Sequence, residues 1–91
     1  MQSDNSLNIT LNVGGERFET SYDTLVKSQY FEARFRQEGK SRDSEPFVMK
    51  LDRSPRIFKH VLDLLRDPDY VYPRKYLSEL SYFGREKCDK I

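Results

Sequence analysis

The sequence is poor in the residues from which most redox and metal sites are built. Its 91 residues include one cysteine, Cys88, one histidine, His60, and no tryptophan. A single cysteine cannot form a disulfide within the chain, which favours a reducing compartment, and we therefore expect a cytoplasmic location. Because a structural zinc ion usually takes four protein ligands, Cys88 and His60 alone predict that this chain binds no structural metal. We expect no other cofactor.

The sequence also lacks long apolar runs and an excess of either charge. No apolar stretch approaches the ~20 residues of a membrane-spanning helix, so we expect no membrane contact by this segment. Sixteen Lys and Arg residues stand against fifteen Asp and Glu, a net charge of +1, which argues against nucleic acid as a partner. Hydrophobic residues make up 36% of the chain, enough for one domain with a thin core that oligomerisation would stabilise.

Two adjacent glycines raise the first structural question, because they could cradle a phosphate or turn a hairpin. Apolar residues alternate with polar ones before them, as in a strand buried on one face: Leu7, Ile9, Leu11 and Val13. A phosphate loop requires GxGxxG or GxxxxGK[ST] at the start of a helix, and neither pattern is present. Gly14 and Gly15 are therefore predicted to form a two-residue hairpin turn that pairs Asn12 with Arg17.

After the hairpin the hydrophobic period becomes helical. Thr20 and Asp23 have the spacing of a capping box at the start of a short helix, SYDTLVK. Ser28 is the predicted cap of a second helix, QYFEARFRQ, which carries two phenylalanines one turn apart. Residues 37–46 are strongly polar and are expected to form a solvated loop.

The second half of the chain adds one strand and two helices. The segment FVMKL alternates as a third strand with Phe47, Met49 and Leu51 facing inward. Ser54 as cap and Pro55 at the first helical position start a helix with an apolar stripe: Ile57, Phe58, Val61, Leu62, Leu64 and Leu65. Pro73 opens a last helix that ends at Gly84, lined by Tyr76, Leu77, Leu80 and Phe83.

No catalytic constellation accompanies this layout. Asp52 and Arg53 lie between a strand and a helix, where enzymes often place active residues, but they fit an ion pair equally well. His60 falls at the edge of an apolar stripe, which is typical of a boundary residue and not of a general base. No nucleophile with its base is recognisable. We therefore expect that the chain is not an enzyme and that it has no catalytic residue.

Four motifs in this order resemble one known family: LNVGGERFETSYDTL, F-x-x-x-F, LDRSPRIFKHVLDLLRD and YLSELSYFG. Together they resemble the BTB/POZ domain of the potassium-channel tetramerisation type, which is shared by N-terminal domains of voltage-gated channels and by KCTD proteins. The resemblance runs from Asn8 to Gly84 and predicts a domain over residues 8–84, between an N-terminal tail, 1–7, and a charged C-terminal tail, 85–91. It implies an α/β, BTB/POZ-like fold, a small three-stranded sheet flanked by helices.

The resemblance further implies a module for protein homo-oligomerisation. Subunits of this branch form closed rings, tetrameric in channels and commonly pentameric in KCTD proteins. The expected partner is therefore the chain itself, as a homo-tetramer or homo-pentamer. By family position, the subunit interface is expected at the hairpin and after the third strand: Asn12, Gly14, Gly15, Arg17, Asp52 and Arg53.

Two other functions stay open on the same resemblance. Many BTB and KCTD proteins are substrate adaptors that bind a cullin scaffold of a ubiquitin ligase, and others are cytoplasmic assembly domains of voltage-gated potassium channels. Several channel subfamilies carry a His/Cys cluster after the last helix that binds zinc between subunits. Here the corresponding tail offers only Cys88, which favours the KCTD-like or the zinc-free channel type.

Overall fold

The chain folds into a three-stranded sheet with helices packed against one face. The computed structural model describes residues 9–84. The elements in chain order are β1 (Ile9–Val13), β2 (Glu16–Thr20), α1 (Tyr22–Leu25), α2 (Gln29–Gln37), β3 (Phe47–Leu51), α3 (Pro55–Arg66), a 3-10 turn (Arg74–Tyr76) and α4 (Leu77–Tyr82). The expected α/β class with a small flanked sheet is confirmed. The predicted tails, including Cys88, lie outside the described residues, so the domain boundaries stay a prediction.

The sheet has the order β2-β1-β3, with β1 in the centre. β1 pairs with β2 in antiparallel register, and Asn12 lies opposite Arg17 as the hairpin interpretation predicts. β1 pairs with β3 in parallel register. The turn residues Gly14 and Gly15 have φ angles of +56° and +95°, a backbone conformation that glycine adopts without steric cost. The two glycines therefore serve a hairpin.

Alternation along the strands separates a buried sheet face from an open one. The buried face packs on the helices through apolar residues of β1 and β3: Ile9, Leu11, Val13, Met49 and Leu51. Four phenylalanines, all fully buried, fill the space between this face and the helices: Phe31, Phe35, Phe58 and Phe83. The opposite face stays open among residues 9–84 and carries exposed or half-exposed side chains: Thr10, Asn12, Arg17, Glu19, Val48 and Lys50.

The cap of α1 corrects one prediction. The hydroxyl of Ser21 accepts a hydrogen bond from the N–H of Thr24 at 3.2 Å and begins the helix. The capping box predicted at Thr20 and Asp23 is wrong, because Thr20 is still the last residue of β2. Its side chain is buried, and its Oγ1 has no hydrogen-bond partner. Spacing alone could not separate two adjacent hydroxyl residues, since both have the chemistry of a cap.

The caps of α2 and α3 are confirmed at Ser28 and Ser54. Ser28 has a second task, because its hydroxyl also donates to the carbonyl of Phe83 at 2.5 Å. The next residue, Gly84, has a φ of +73°, and a Cβ there would lie 2.7 Å from the Cβ of Gln29. The end of α4 is thus held against the start of α2, in a place where only glycine fits.

Candidate functional site

Four of the six predicted interface residues line a single open depression of about 490 Å³ at the turn end of the sheet: Asn12, Gly14, Gly15 and Asp52. Lys50 and Leu51 complete its wall. Arg17 and Arg53, the other two predicted residues, do not line it. The interface assignment itself stays a prediction, but these four residues, drawn from two separate parts of the chain, are neighbours in space.

The parallel pairing of β1 and β3 brings these two parts together. Both strands end at the same edge of the sheet, with Val13 opposite Leu51. The N–H of Gly14 then donates to the carbonyl of Leu51 at 2.9 Å. A Cβ at Gly14 would lie 2.5 Å from the carbonyl oxygen of Arg53. The hairpin turn and the β3–α3 link are therefore packed backbone against backbone, and this contact fixes the shape of the depression.

Asn12 has a structural task within the hairpin. Its side-chain oxygen accepts a hydrogen bond from the N–H of Gly15 at 3.0 Å. A backbone N–H can donate only to the oxygen of the side-chain amide, so this contact distinguishes the oxygen of Asn12 from its nitrogen. The NH₂ group is then the part of the side chain that can donate to a partner. Asn12 thus stabilises the turn and presents a donor at the depression.

Arg17 projects from the open face of the sheet. Its Nε lies 3.6 Å from the carboxylate of Glu19, and the two side chains are 73% and 58% exposed. A pair this exposed contributes only about 0–1 kcal/mol, since water screens it and both side chains lose freedom to form it. Arg17 can therefore turn to another carboxylate at little cost.

Arg53 has its carboxylate partner within the chain. Its Nε donates to Glu79 Oε2 at 2.9 Å and its Nη2 to Oε1 at 2.5 Å, a two-pronged contact between the β3–α3 link and α4. The guanidinium carbon also lies 3.9 Å from the ring centroid of Tyr82. The hydrogen bond to Glu79 raises the pKa of Arg53 further above its ordinary value, against the opposing effect of burial. Arg53 is thus a positively charged link between two elements of one subunit.

Sequence reasoning missed Glu79. The predicted apolar stripe of the last helix contained Leu77, which is 37% exposed, while Glu79 is buried. The reason is the ion pair, because a carboxylate can leave water when a guanidinium satisfies both of its oxygens. Arg53 lies far from Glu79 in the sequence, so no local spacing marks the pair.

Tyr82 joins Arg53 to a second tyrosine. Its ring lies 5.2 Å from that of Tyr30, centroid to centroid. The hydrogen bond with the Tyr30 side chain, followed by burial, raises the pKa of Tyr82 above its ordinary value near 10, while the positive charge of Arg53 acts in the opposite direction. Arg34 in turn donates from Nη1 to the Tyr30 hydroxyl at 3.1 Å. Arg53, Tyr82, Tyr30 and Arg34 thus form a packed surface cluster.

His60 lies at the boundary of the core, as its place on the helix predicts. It is half-buried, and its Nδ1 is 2.5 Å from the hydroxyl of Tyr70. Its ring stacks on those of Tyr70 and Tyr76 at centroid distances of 6.1 and 5.6 Å. Burial, with the charge of Asp63, raises the pKa of Tyr70. The aromatic contacts of His60 are those of a packing residue.

Within residues 9–84, no group of three or more His, Cys, Asp and Glu side chains could hold a metal ion. Over the same range, no helix is both long and apolar enough to span a membrane. The candidate site is an open surface at the turn end of the sheet, built from backbone at the glycines and from the side chains of Asn12, Lys50, Leu51 and Asp52.

Comparison with known proteins bears on the family of the chain. A model of the BTB/POZ domain matches residues 9–89. SH3KBP1-binding protein 1 from Bos taurus, Rattus norvegicus and Mus musculus is 33% identical over 82 residues in each case, a stretch that covers 84% of this chain and 12% of the relative. This chain thus spans about an eighth of the length of those relatives. The matched sequence, the glycine hairpin and the small flanked sheet lead to one conclusion: the chain belongs to the BTB/POZ family, in its potassium-channel tetramerisation branch, whose domains mediate protein–protein interaction.

Proposed function

We propose that this domain assembles copies of itself into a closed ring of four or five subunits and so sets the number of chains in the assembly. The observation that carries the proposal is the depression at the turn end of the sheet, which collects Asn12, Gly14, Gly15 and Asp52. These are four of the six positions that the family resemblance assigns to the interface, and the other two are Arg17 and Arg53. Their rigid backbone, fixed by the Gly14–Leu51 hydrogen bond, is suited to a contact of defined geometry.

The character of the surface supports a stoichiometry-setting role. The depression and the open sheet face carry charged and amide groups rather than a large apolar patch. Contacts of this kind fix orientation and partner choice more than they add affinity. A ring repeats the same modest contact at every junction, and a head-to-tail contact generates a ring when its rotation closes.

The mass of the purified chain in solution tests the proposal. Sedimentation velocity and multi-angle light scattering at tens of micromolar should give four or five times the subunit mass of 10.9 kDa. Arg17→Glu should lower the mass, and Arg56→Glu, an equal charge reversal at an exposed position on α3, should leave it unchanged. A monomer at this concentration contradicts the proposal.

We also propose that assembly needs no metal and takes place in the cytoplasm. The full sequence has one cysteine and one histidine, fewer than the four ligands that a structural zinc ion usually takes within one chain. A chelator should therefore leave the mass of the oligomer unchanged. Dissociation on adding the chelator, or stoichiometric zinc by elemental analysis, would overturn the metal-free assignment.

Recruitment of a cullin scaffold, as an adaptor of a ubiquitin ligase, is a second proposal that rests on family membership alone. A pull-down with the N-terminal region of a cullin tests it, and absence of binding by an intact oligomer would remove it. Assembly of a voltage-gated potassium channel is the remaining alternative, and it requires membrane spans in the same polypeptide.

A further inference from the structure

Three side chains form a row across the open face of the sheet, which we name the donor row: Arg17, Asn12 and Lys50. Strand register places Asn12 between the other two. Arg17 and Lys50 are exposed cations, and the side-chain oxygen of Asn12 accepts from Gly15, so the group that Asn12 can offer a partner is its NH₂. A row that offers only donors calls for acceptors, and carboxylates are the acceptors that pair best with such groups. Asp52, beside Lys50, forms no ion pair with it among residues 9–84.

An exposed apolar side chain adjoins the donor row. Val48 lies two residues before Lys50 on the same face of β3. Val48 and Val71 are, at 67% each, the most exposed large hydrophobic residues in the described range. A single exposed valine is common on protein surfaces, but its place beside the donor row makes Val48 available to a partner that covers the row.

The second exposed valine adjoins a group of carboxylates. The segment 67–71, here the acid loop, follows α3 and carries Asp67 and Asp69 but no cation. The N–H of Asp69 donates to Asp67 Oδ1 at 3.0 Å, and the side chain of Asp69 is exposed. Val71 lies two positions after Asp69 in the sequence, and Val48 lies two positions before Lys50. The acid loop therefore matches the donor row in charge, and Val71 matches Val48, which adjoins the row.

The acid loop of a subunit is not paired with the donor row of the same subunit. α3 begins at Pro55, in contact with Gly14 at the turn end of the sheet. It ends where Arg66 Nη2 donates to the carbonyl of Glu19 at 2.8 Å, near the other end of the strands. A helix of 12 residues spans about 18 Å. Among residues 9–84, Lys50 forms no ion pair with Asp69, and Val48 and Val71 are each 67% exposed. The two surfaces are therefore unpaired within the subunit, and a second copy can bring them together.

We propose that the acid loop of one copy docks on the donor row of the next, with Asp69 against Lys50 and Val71 against Val48. The contact joins two different surfaces, so it is head-to-tail and can close into a ring, whereas a self-complementary contact would stop at a dimer. This inference rests on the ring proposed above and deepens it by naming the two surfaces and the chemistry of their contact.

A charge swap tests the pairing. Lys50→Glu and Asp69→Lys, each alone, should raise the concentration at which half of the assembly dissociates by about tenfold or more, measured by sedimentation equilibrium. The two substitutions in one chain should restore association to within about threefold of the original, because every junction again pairs opposite charges. Lys59→Glu and Asp43→Lys are matched controls at exposed positions outside both surfaces, and neither should change association.

Each outcome distinguishes this inference from the ring itself. A wild-type chain that is monomeric overturns the ring. A wild-type oligomer whose association is unchanged by the single substitutions leaves the ring in place and overturns the docking of the acid loop. Weakening by both single substitutions without recovery in the pair overturns the contact between Lys50 and Asp69. Val71→Ser tests the same contact without a change of charge and should also weaken association. Circular dichroism verifies that each variant stays folded.

Discussion

Arg53→Ala removes both hydrogen bonds from the carboxylate of Glu79 and leaves that carboxylate in a place with little access to water. Side-chain exposure is 33% for Arg53 and 11% for Glu79. We therefore expect the subunit itself to lose stability, because the carboxylate of Glu79 cannot recover full hydration when Arg53 is deleted. The contact of the guanidinium with the ring of Tyr82, at 3.9 Å, is lost in the same substitution.

The expected loss is about 2–4 kcal/mol. Exposed ion pairs contribute about 0–1 kcal/mol, and deletion of one partner of a fully buried pair costs about 3–5 kcal/mol. The Arg53–Glu79 pair lies between these limits, closer to the buried one on the side of Glu79. For a chain of 91 residues the total free energy of unfolding is about 5–14 kcal/mol. Loss of this single contact would thus remove a large part of the stability.

Urea unfolding followed by circular dichroism measures the loss, at a concentration where variant and wild type have the same oligomeric state. Arg56→Ala is the matched control, since this arginine is exposed at the start of α3 and should change the free energy of unfolding by less than about 0.5 kcal/mol. A double-mutant cycle with Glu79→Ala isolates the pair, and we expect a coupling energy above about 1 kcal/mol.

A coupling energy near zero would refute the reasoning that the pair stabilises the subunit. Sedimentation velocity of the same variants tests the interface predicted for Arg53. If the variants keep their stability but lose their oligomeric state, Arg53 acts between subunits. If the free energy of unfolding falls, as we expect, any effect of Arg53 on the ring follows from its role within the fold of the subunit.

Three further outcomes follow from the caps, the turn and the tyrosine cluster. Thr20→Val should leave the free energy of unfolding unchanged or raise it by up to about 1 kcal/mol, because it removes a buried hydroxyl without a partner, whereas Ser21→Ala should lower it by about 1 kcal/mol. Gly14→Ala should lower the free energy of unfolding in urea more than Gly15→Ala does. Both glycines have a positive φ, but only a Cβ at Gly14 would lie against backbone, at the carbonyl oxygen of Arg53. The contribution of Tyr82 to stability should be fully present below about pH 10 and be lost as the pH rises further, because the raised pKa of Tyr82 means that the folded chain keeps this proton to a higher pH than the unfolded chain. Tyr82→Phe should make that decline shallower.

Short-range patterns were sufficient for most of the fold. The alternation around the glycines predicted the hairpin and its register, and Ser28, Ser54 and Pro55 predicted the starts of two helices, because each of these signals acts within a few residues. The same reasoning failed at Thr20, because Thr20 and Ser21 are both hydroxyl residues that can cap a helix. Thr20 is the last residue of β2, so Ser21 is the cap.

The candidate site was only partly accessible from the sequence. The glycine turn and Asp52 were identified, but their proximity depends on the parallel pairing of β1 with β3, which no local pattern specifies. Glu79 was missed because its burial depends on Arg53, a partner that tertiary structure supplies. Lys50 was missed as well, since an exposed lysine on an edge strand carries no signal of its own.

The central position of β1 has a consequence for the order in which the chain can fold. β1 and β2 are adjacent in sequence and can form a hairpin within microseconds, but a hairpin alone is marginally stable in water. The second partner of β1 is β3, which lies roughly 40 residues further along the chain. At typical synthesis rates of about 5–20 residues per second, β3 is synthesised about 2–8 s after β1. During that interval one edge of β1 is unpaired and able to join a foreign strand. Refolding should accordingly be limited by closure of the β1–β3 loop, and substitutions in β3 should slow it more than substitutions at the cap of α1.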